Sequence, residues 1–135
     1  MIKLVTAIVC DQVRFEVGSK LILIGCYHSV VGVPQLPAKV PLSWVVVADM
    51  PEIGSSKVAF EVLLEGKKKP LAQVESEIEV TGPDYGALLP IPTIDVHVDR
   101  PSVVTLRGKV NDGPWKSLKK VRILHLKSFQ DSESQ

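Results

Sequence analysis

The sequence has few cysteines, few aromatic residues and almost no net charge, and each shortage excludes a class of protein. Its 135 residues include only Cys10 and Cys26, too few for the disulfide framework of a small secreted domain. Sixteen Lys and Arg against fifteen Asp and Glu leave a net charge of +1. No broad field therefore attracts nucleic acid or an anionic membrane. Three Phe, two Tyr and two Trp are too few for the exposed aromatic row of a carbohydrate-binding sandwich.

Long hydrophobic runs are also missing. The apolar run at residues 4–9 is shorter than the roughly 7–15 residues of a signal-peptide core. No stretch approaches the ~20 apolar residues that a membrane-spanning helix needs. We therefore expect a cytoplasmic protein with no membrane partner.

The dominant feature that is present is alternation of apolar and polar residues. It runs through residues 12–17 and recurs in residues 58–65, 71–80, 94–99 and 104–110. Alternation of this kind is typical of strands that are buried on one face and exposed to solvent on the other. Turn signals separate these segments at intervals of about ten residues. The pattern predicts an all-β, antiparallel β-sandwich of about seven to nine strands.

The chain length fits one domain, since domains usually span about 100–200 residues. We assign residues 1–127 to a single sandwich domain and residues 128–135 to a short, polar, disordered tail.

Three segments break the alternation because they are apolar on both sides, namely residues 2–10, 20–26 and 42–48. Two interpretations stay open for each of them. The segment is either a central strand covered on both faces, or a strand that meets another subunit.

The first hairpin yields the most specific local prediction. Gly18-Ser19 suits a two-residue type II′ turn, which favours Gly at its first central position. That turn would place Phe15 opposite Ile22. It would also direct Cys10 and Cys26 to opposite faces, so we expect two free, buried thiols rather than an intramolecular disulfide.

The same stretch contains Cys10, Asp11, Val13 and Arg14, followed by Gly18, Lys20, Leu23, Ile24, Gly25 and Tyr27. These residues resemble an uncharacterised family of short bacterial proteins. In that family a Cys-Asp-x-Val-Arg segment precedes a Gly-Lys-x-x-Leu-Ile-Gly-x-Tyr segment, and Ser19 here stands between the matching Gly and Lys. The resemblance covers about twenty residues and implies a hairpin, with no activity attached.

Asp95, His97 and Asp99 form the best candidate metal site, since alternation places these three ligand types on one strand face. The competing interpretation is a solvated strand face. We prefer it because the outer two Cα atoms of such a strand lie about 13 Å apart at ~3.3 Å per residue. We therefore expect no bound metal.

Other catalytic patterns are not recognisable. Glu75, Glu77 and Glu79 lie along one strand rather than across a cleft, which suits a wet face that resists edge association. The lysines at residues 67–69 lack the pattern of a phosphate-binding loop. The basic residues within 116–122 have only Trp115 beside them for stacking on bases, so nucleic-acid binding is not expected. We expect no cofactor.

Residues 83–92 are the candidate partner-binding segment, because Tyr85, Leu88, Leu89 and Ile91 lie there in what is predicted to be a proline-bounded loop. Large apolar side chains in a loop either cap the end of the sandwich or form an exposed interaction patch.

The leading hypothesis is therefore a non-catalytic protein-interaction or assembly module that acts through its surface, including as a homo-oligomer. The alternative is an enzyme or small-ligand-binding protein whose site is assembled around Asp95 and His97.

Overall fold

A computed structural model describes residues 2–18, 20–50, 52–82 and 86–127. These residues form nine β-strands, which confirms the predicted all-β sandwich. The strands in chain order are β1 (Lys3–Glu16), β2 (Lys20–Tyr27), β3 (Val30–Val33), β4 (Ala38–Asp49), β5 (Gly54–Leu64), β6 (Ala72–Val80), β7 (Ala87–Val98), β8 (Ser102–Val110) and β9 (Lys116–His125). The predicted tail at residues 128–135 lies outside the described residues.

The strands form two sheets. The first has four strands in the order β2-β1-β4-β7, and the second has five in the order β3-β9-β8-β5-β6. Neighbouring strands are antiparallel, as predicted, except that β3 and β9 run parallel. No helix among the described residues is long and apolar enough to cross a membrane.

The core lies between the two sheets and consists mainly of aliphatic side chains. Alternate residues of the central strands supply it, as a half-buried sheet requires. The largest completely buried side chain is that of Trp44 in β4, and Leu106 in β8 and Ile123 in β9 are buried with it. One hydrophobic core unites both sheets.

The register of the first hairpin differs from the prediction by one residue. Phe15 pairs with Leu21 rather than with Ile22, and Glu16 pairs with Lys20. Gly18 adopts a φ of +85° there. Because residues 21–24 are all aliphatic, their hydrophobic pattern does not choose between two registers that differ by one residue.

The shifted register also corrects the predicted placement of the cysteines. Cys10 and Cys26 lie directly opposite each other on β1 and β2, not on opposite faces. Both are free thiols, as expected, but only Cys10 is buried and Cys26 is exposed.

Candidate interaction surface

The first hairpin extends beyond the sheet to which it belongs. Strand β1 pairs with β4 only as far as the pair between Cys10 and Ser43. From there to its end, its paired neighbour among the described residues is β2 alone. We call residues 11–16 of β1 together with β2 the hairpin arm.

The base of the hairpin arm is fixed by a small cluster of polar groups. The Tyr27 hydroxyl donates a hydrogen bond to the Asp11 carboxylate. Gly25 has a φ of +67°, and a Cβ atom at this position would lie 2.3 Å from Asp11 Oδ2. Glycine therefore provides both the left-handed backbone and the space for the carboxylate. Asp11, Gly25 and Tyr27 are among the residues that carry the family resemblance.

The tip of the hairpin arm lies beside the outer face of the first sheet. Leu42, Trp44 and Val46 belong to the core. Ser43 and Val45 alternate with them and therefore point outward, yet both are fully buried. Near the arm's tip, Phe15 and Leu21 line one open cavity of about 700 Å³. Residues from the end of β4 and the start of β7 complete its lining. The arm therefore curls back across this face. The apolar residues that line the cavity are Phe15, Leu21, Val47, Ala48, Ala87, Leu88 and Pro90.

Much of the hairpin arm remains apolar and exposed. Phe15 is 71% exposed, and Ile22 and Ile24 of β2 are 44% and 39% exposed. Leu21 and Leu23 are half-buried. Strand β2 thus presents aliphatic side chains at four consecutive positions, and its outer edge forms the border of the first sheet.

The other three sheet edges carry features that discourage strand pairing. Pro90 and Pro92 interrupt the hydrogen-bonding edge of β7. Strand β6 presents glutamates along its exposed face, and β3 has only four residues. Strand β2 has eight residues, contains no proline and carries a single charge at Lys20. Among the described edges, that of β2 is the one open to another strand.

The predicted partner-binding loop at residues 83–92 is largely not a loop. Strand β7 begins at Ala87 and includes its prolines, because an edge strand tolerates residues without an N–H group. Ile91 is 3% exposed in the core, and Leu89 packs against that core. Leu88 points to the opposite face and is 51% exposed. Tyr85 lies outside the described residues.

The predicted site is therefore divided between two roles. Leu89 and Ile91 contribute to the core from the inner face of strand β7, rather than from a loop that caps the end of the sandwich. Leu88 lines the cavity under the hairpin arm. The sequence did not predict that Leu88 and Phe15 would share this cavity, because the juxtaposition depends on how the arm curls. The signal that was available is the two-sided apolar character of residues 20–26.

The candidate metal ligands do not converge. Asp95 and His97 are exposed on β7, and Asp99 lies beyond the end of that strand. Within the described ranges, no group of three His, Cys, Asp or Glu side chains is placed to hold a metal ion.

An open depression of about 570 Å³ surrounds His97 and Asp99. It brings together Lys39, Lys67 and Arg100, but Glu65 and Asp99 oppose their charge. All of these side chains are exposed. The depression therefore has no clear preference for ligands of one charge.

Trp115 is not available as a platform for stacking on a base. The Arg107 guanidinium lies 4.5 Å from the ring centroid and the Lys109 ammonium 4.9 Å from it. Arg107 also forms an ion pair with Glu61 at 3.2 Å. Both cations are therefore engaged on the outer face of the second sheet by partners within the chain.

No protein-family model matches the chain, and a search of curated proteins finds no relative. The residues of the hairpin arm are therefore the main guide to function.

Proposed function

We propose that this protein is a non-catalytic assembly module that self-associates through the hairpin arm. The observation that carries the proposal is the free edge of β2, which combines unpaired backbone groups with exposed aliphatic side chains. A sheet edge of this kind is a template for another strand.

A second copy of the chain fits this edge because β2 is self-complementary. When two β2 strands pair antiparallel about Leu23, Ile22 lies opposite Ile24 of the partner subunit. Lys20 then lies opposite Cys26 of the partner subunit, so no like charges meet across the new pair.

The same register extends an apolar row across both arms. Val13 pairs with Leu23 within one chain. In the dimer, Leu23 would lie opposite Leu23 of the partner subunit. The row across the four strands would then read Val13 and Leu23, followed by Leu23 and Val13 of the partner subunit. A continuous four-strand row of this kind removes half-buried aliphatic surface from water, which stabilises association by ~25 cal/mol per Å².

The alternative function, a ligand site around Asp95 and His97, has weaker support. These residues lie beside an open depression with mixed charges, whereas ligand sites are usually concave, mostly apolar and equipped with a few convergent polar groups.

The test is the oligomeric state of the protein with Ile22→Lys and Ile24→Lys. We expect the unaltered chain to form a concentration-dependent dimer in sedimentation velocity. The dissociation constant of the double variant should be at least about tenfold higher. Burying one aliphatic side chain contributes about 1.5–3 kcal/mol, and ~1.4 kcal/mol corresponds to a factor of ten.

The matched control is Val5→Lys with Ile53→Lys. Val5 and Ile53 are also exposed, at 42% and 69%, and lie outside the hairpin arm. The control adds the same charge, so we expect it to dimerise like the unaltered chain. A monomer at every concentration of the unaltered chain, or equal weakening by both double variants, would contradict the proposal.

A further inference from the structure

The two cysteines of the chain form a directly opposed pair at the base of the hairpin arm. Cys10 of β1 pairs with Cys26 of β2. Directly opposite residues of antiparallel strands have Cα atoms about 4.5–5.5 Å apart. Disulfides require about 4.4–6.8 Å between Cα atoms, so the separation typical of a directly opposed pair is compatible with a bridge.

The two thiols differ in their surroundings. Cys10 is completely buried, and its Sγ donates to the Gln12 carbonyl oxygen at 3.5 Å. Burial raises the pKa of Cys10, and the neighbouring Cys26 raises it further. Cys26 is exposed. An oxidant from solution therefore reaches Cys26 first, while Cys10 is protected and close by.

We propose that Cys10 and Cys26 form a reversible intrachain disulfide when the protein meets a peroxide. The Cys26 thiolate attacks one peroxide oxygen, the O–O bond breaks, and the departing hydroxide takes up a proton to give water. Cys26 is then a sulfenic acid. The Cys10 sulfur, after losing its proton, attacks the Cys26 sulfur and displaces the hydroxyl group as a second water.

Two electrons pass from the two sulfurs to the peroxide in this sequence, and a dithiol reductant returns both thiols. The bridge ties β1 to β2 and leaves the outer edge of β2 free. It does not depend on the proposed self-association.

The experiment treats the purified protein with hydrogen peroxide and analyses it by intact mass spectrometry and non-reducing peptide mapping. We expect a single chain with no covalent link to another, which has lost two hydrogen atoms and has its Cys10 and Cys26 peptides joined. Dithiothreitol should reverse the change fully. The melting temperature of the oxidised form should rise, because the bridge constrains the unfolded chain.

Two single variants assign the roles of the thiols. In Cys10→Ser, Cys26 should be trapped as a sulfenic acid or as a disulfide between chains. In Cys26→Ser, Cys10 should remain a free thiol at the same peroxide dose. The Ile22→Lys and Ile24→Lys double variant should form the same bridge, which separates this inference from the proposed dimer.

Two results would overturn the inference. One is the persistence of both thiols at a peroxide dose that oxidises free cysteine. The other is an unaltered chain that oxidises only between molecules, through Cys26, with Cys10 still reduced.

Discussion

Strands β4 and β2 share one sequence feature but differ in how much of it is buried. Each contains four consecutive large apolar residues, at positions 44–47 in β4 and 21–24 in β2. In β4, Trp44, Val45 and Val46 are completely buried, whereas every residue of β2 is half-buried or exposed. The difference arises because β4 lies between β1 and β7, while β2 borders its sheet.

The comparison shows that two-sided apolar character does not by itself mean that the chain buries both faces of a strand. For β4 the covering is supplied within the chain, by the core on one side and the hairpin arm on the other. For β2 the chain leaves much of the aliphatic surface exposed. We infer that a second copy of the chain covers that surface.

The largest expected effect is the difference in unfolding free energy lost when a leucine is truncated in β4 and in β2. Leu42 of β4 is completely buried, and Leu42→Ala should reduce the free energy of unfolding by about 2–5 kcal/mol. Leu23→Ala in β2 should cost only about 1 kcal/mol in the monomer, because Leu23 is half-buried. Urea denaturation of both variants in the Ile22→Lys and Ile24→Lys background measures this. Equal losses would mean that β2 is as interior as β4.

An intermediate effect separates the two faces of β7. Leu89→Ser should destabilise the fold by about 2–3 kcal/mol because Leu89 packs against the core. Leu88→Ser should change stability by about 0.5 kcal/mol or less, since its side chain is 51% exposed. Thermal denaturation compares the two. If Leu88→Ser reduced stability as much as Leu89→Ser, the cavity under the hairpin arm would be closed in solution.

The smallest expected effect at neutral pH is that of the Tyr27 phenol, at the base of the hairpin arm, on stability. Burial, followed by the hydrogen bond to Asp11 and its charge, raises the pKa of Tyr27 to about 12. The protonated phenol is thus favoured in the folded state. Its contribution to stability is complete below the unfolded pKa of about 10 and is lost as the pH rises toward 12.

Absorbance titration of the phenolate measures this pKa in a Tyr85→Phe variant, which leaves Tyr27 as the only tyrosine. Asp11→Asn should lower the midpoint toward 10, because it removes the carboxylate charge. A midpoint near 10 in the folded protein that still carries Asp11 would refute the contact.

Local sequence pattern predicted the fold class well and the pairing less well. Alternation was enough to predict a sandwich of about seven to nine strands, because burial on one face imposes period two. It could not fix the register at Ile22, where both neighbours are also aliphatic, and the slip reversed the predicted relation of Cys10 to Cys26. The bounding Pro83 and Pro92 suggested a loop, although the edge strand β7 accommodates Pro92.

The candidate site was harder to predict because it depends on sheet order. Nothing in residues 20–26 shows whether a neighbouring strand from elsewhere in the chain will cover them. The curl that brings Phe15 beside Leu88 likewise joins segments more than seventy positions apart.

The parallel pairing of β3 with β9 has a consequence for the order of folding. Val30 to Val33 pair with residues 122–125, near the end of the described chain. The Lys116 ammonium likewise donates to the Leu4 carbonyl oxygen at 2.9 Å, joining the first strand to the last. During synthesis, β3 emerges early and waits for almost the entire chain. Contacts of such long sequence separation make folding slow, so the second sheet is completed only after β9 has left the ribosome.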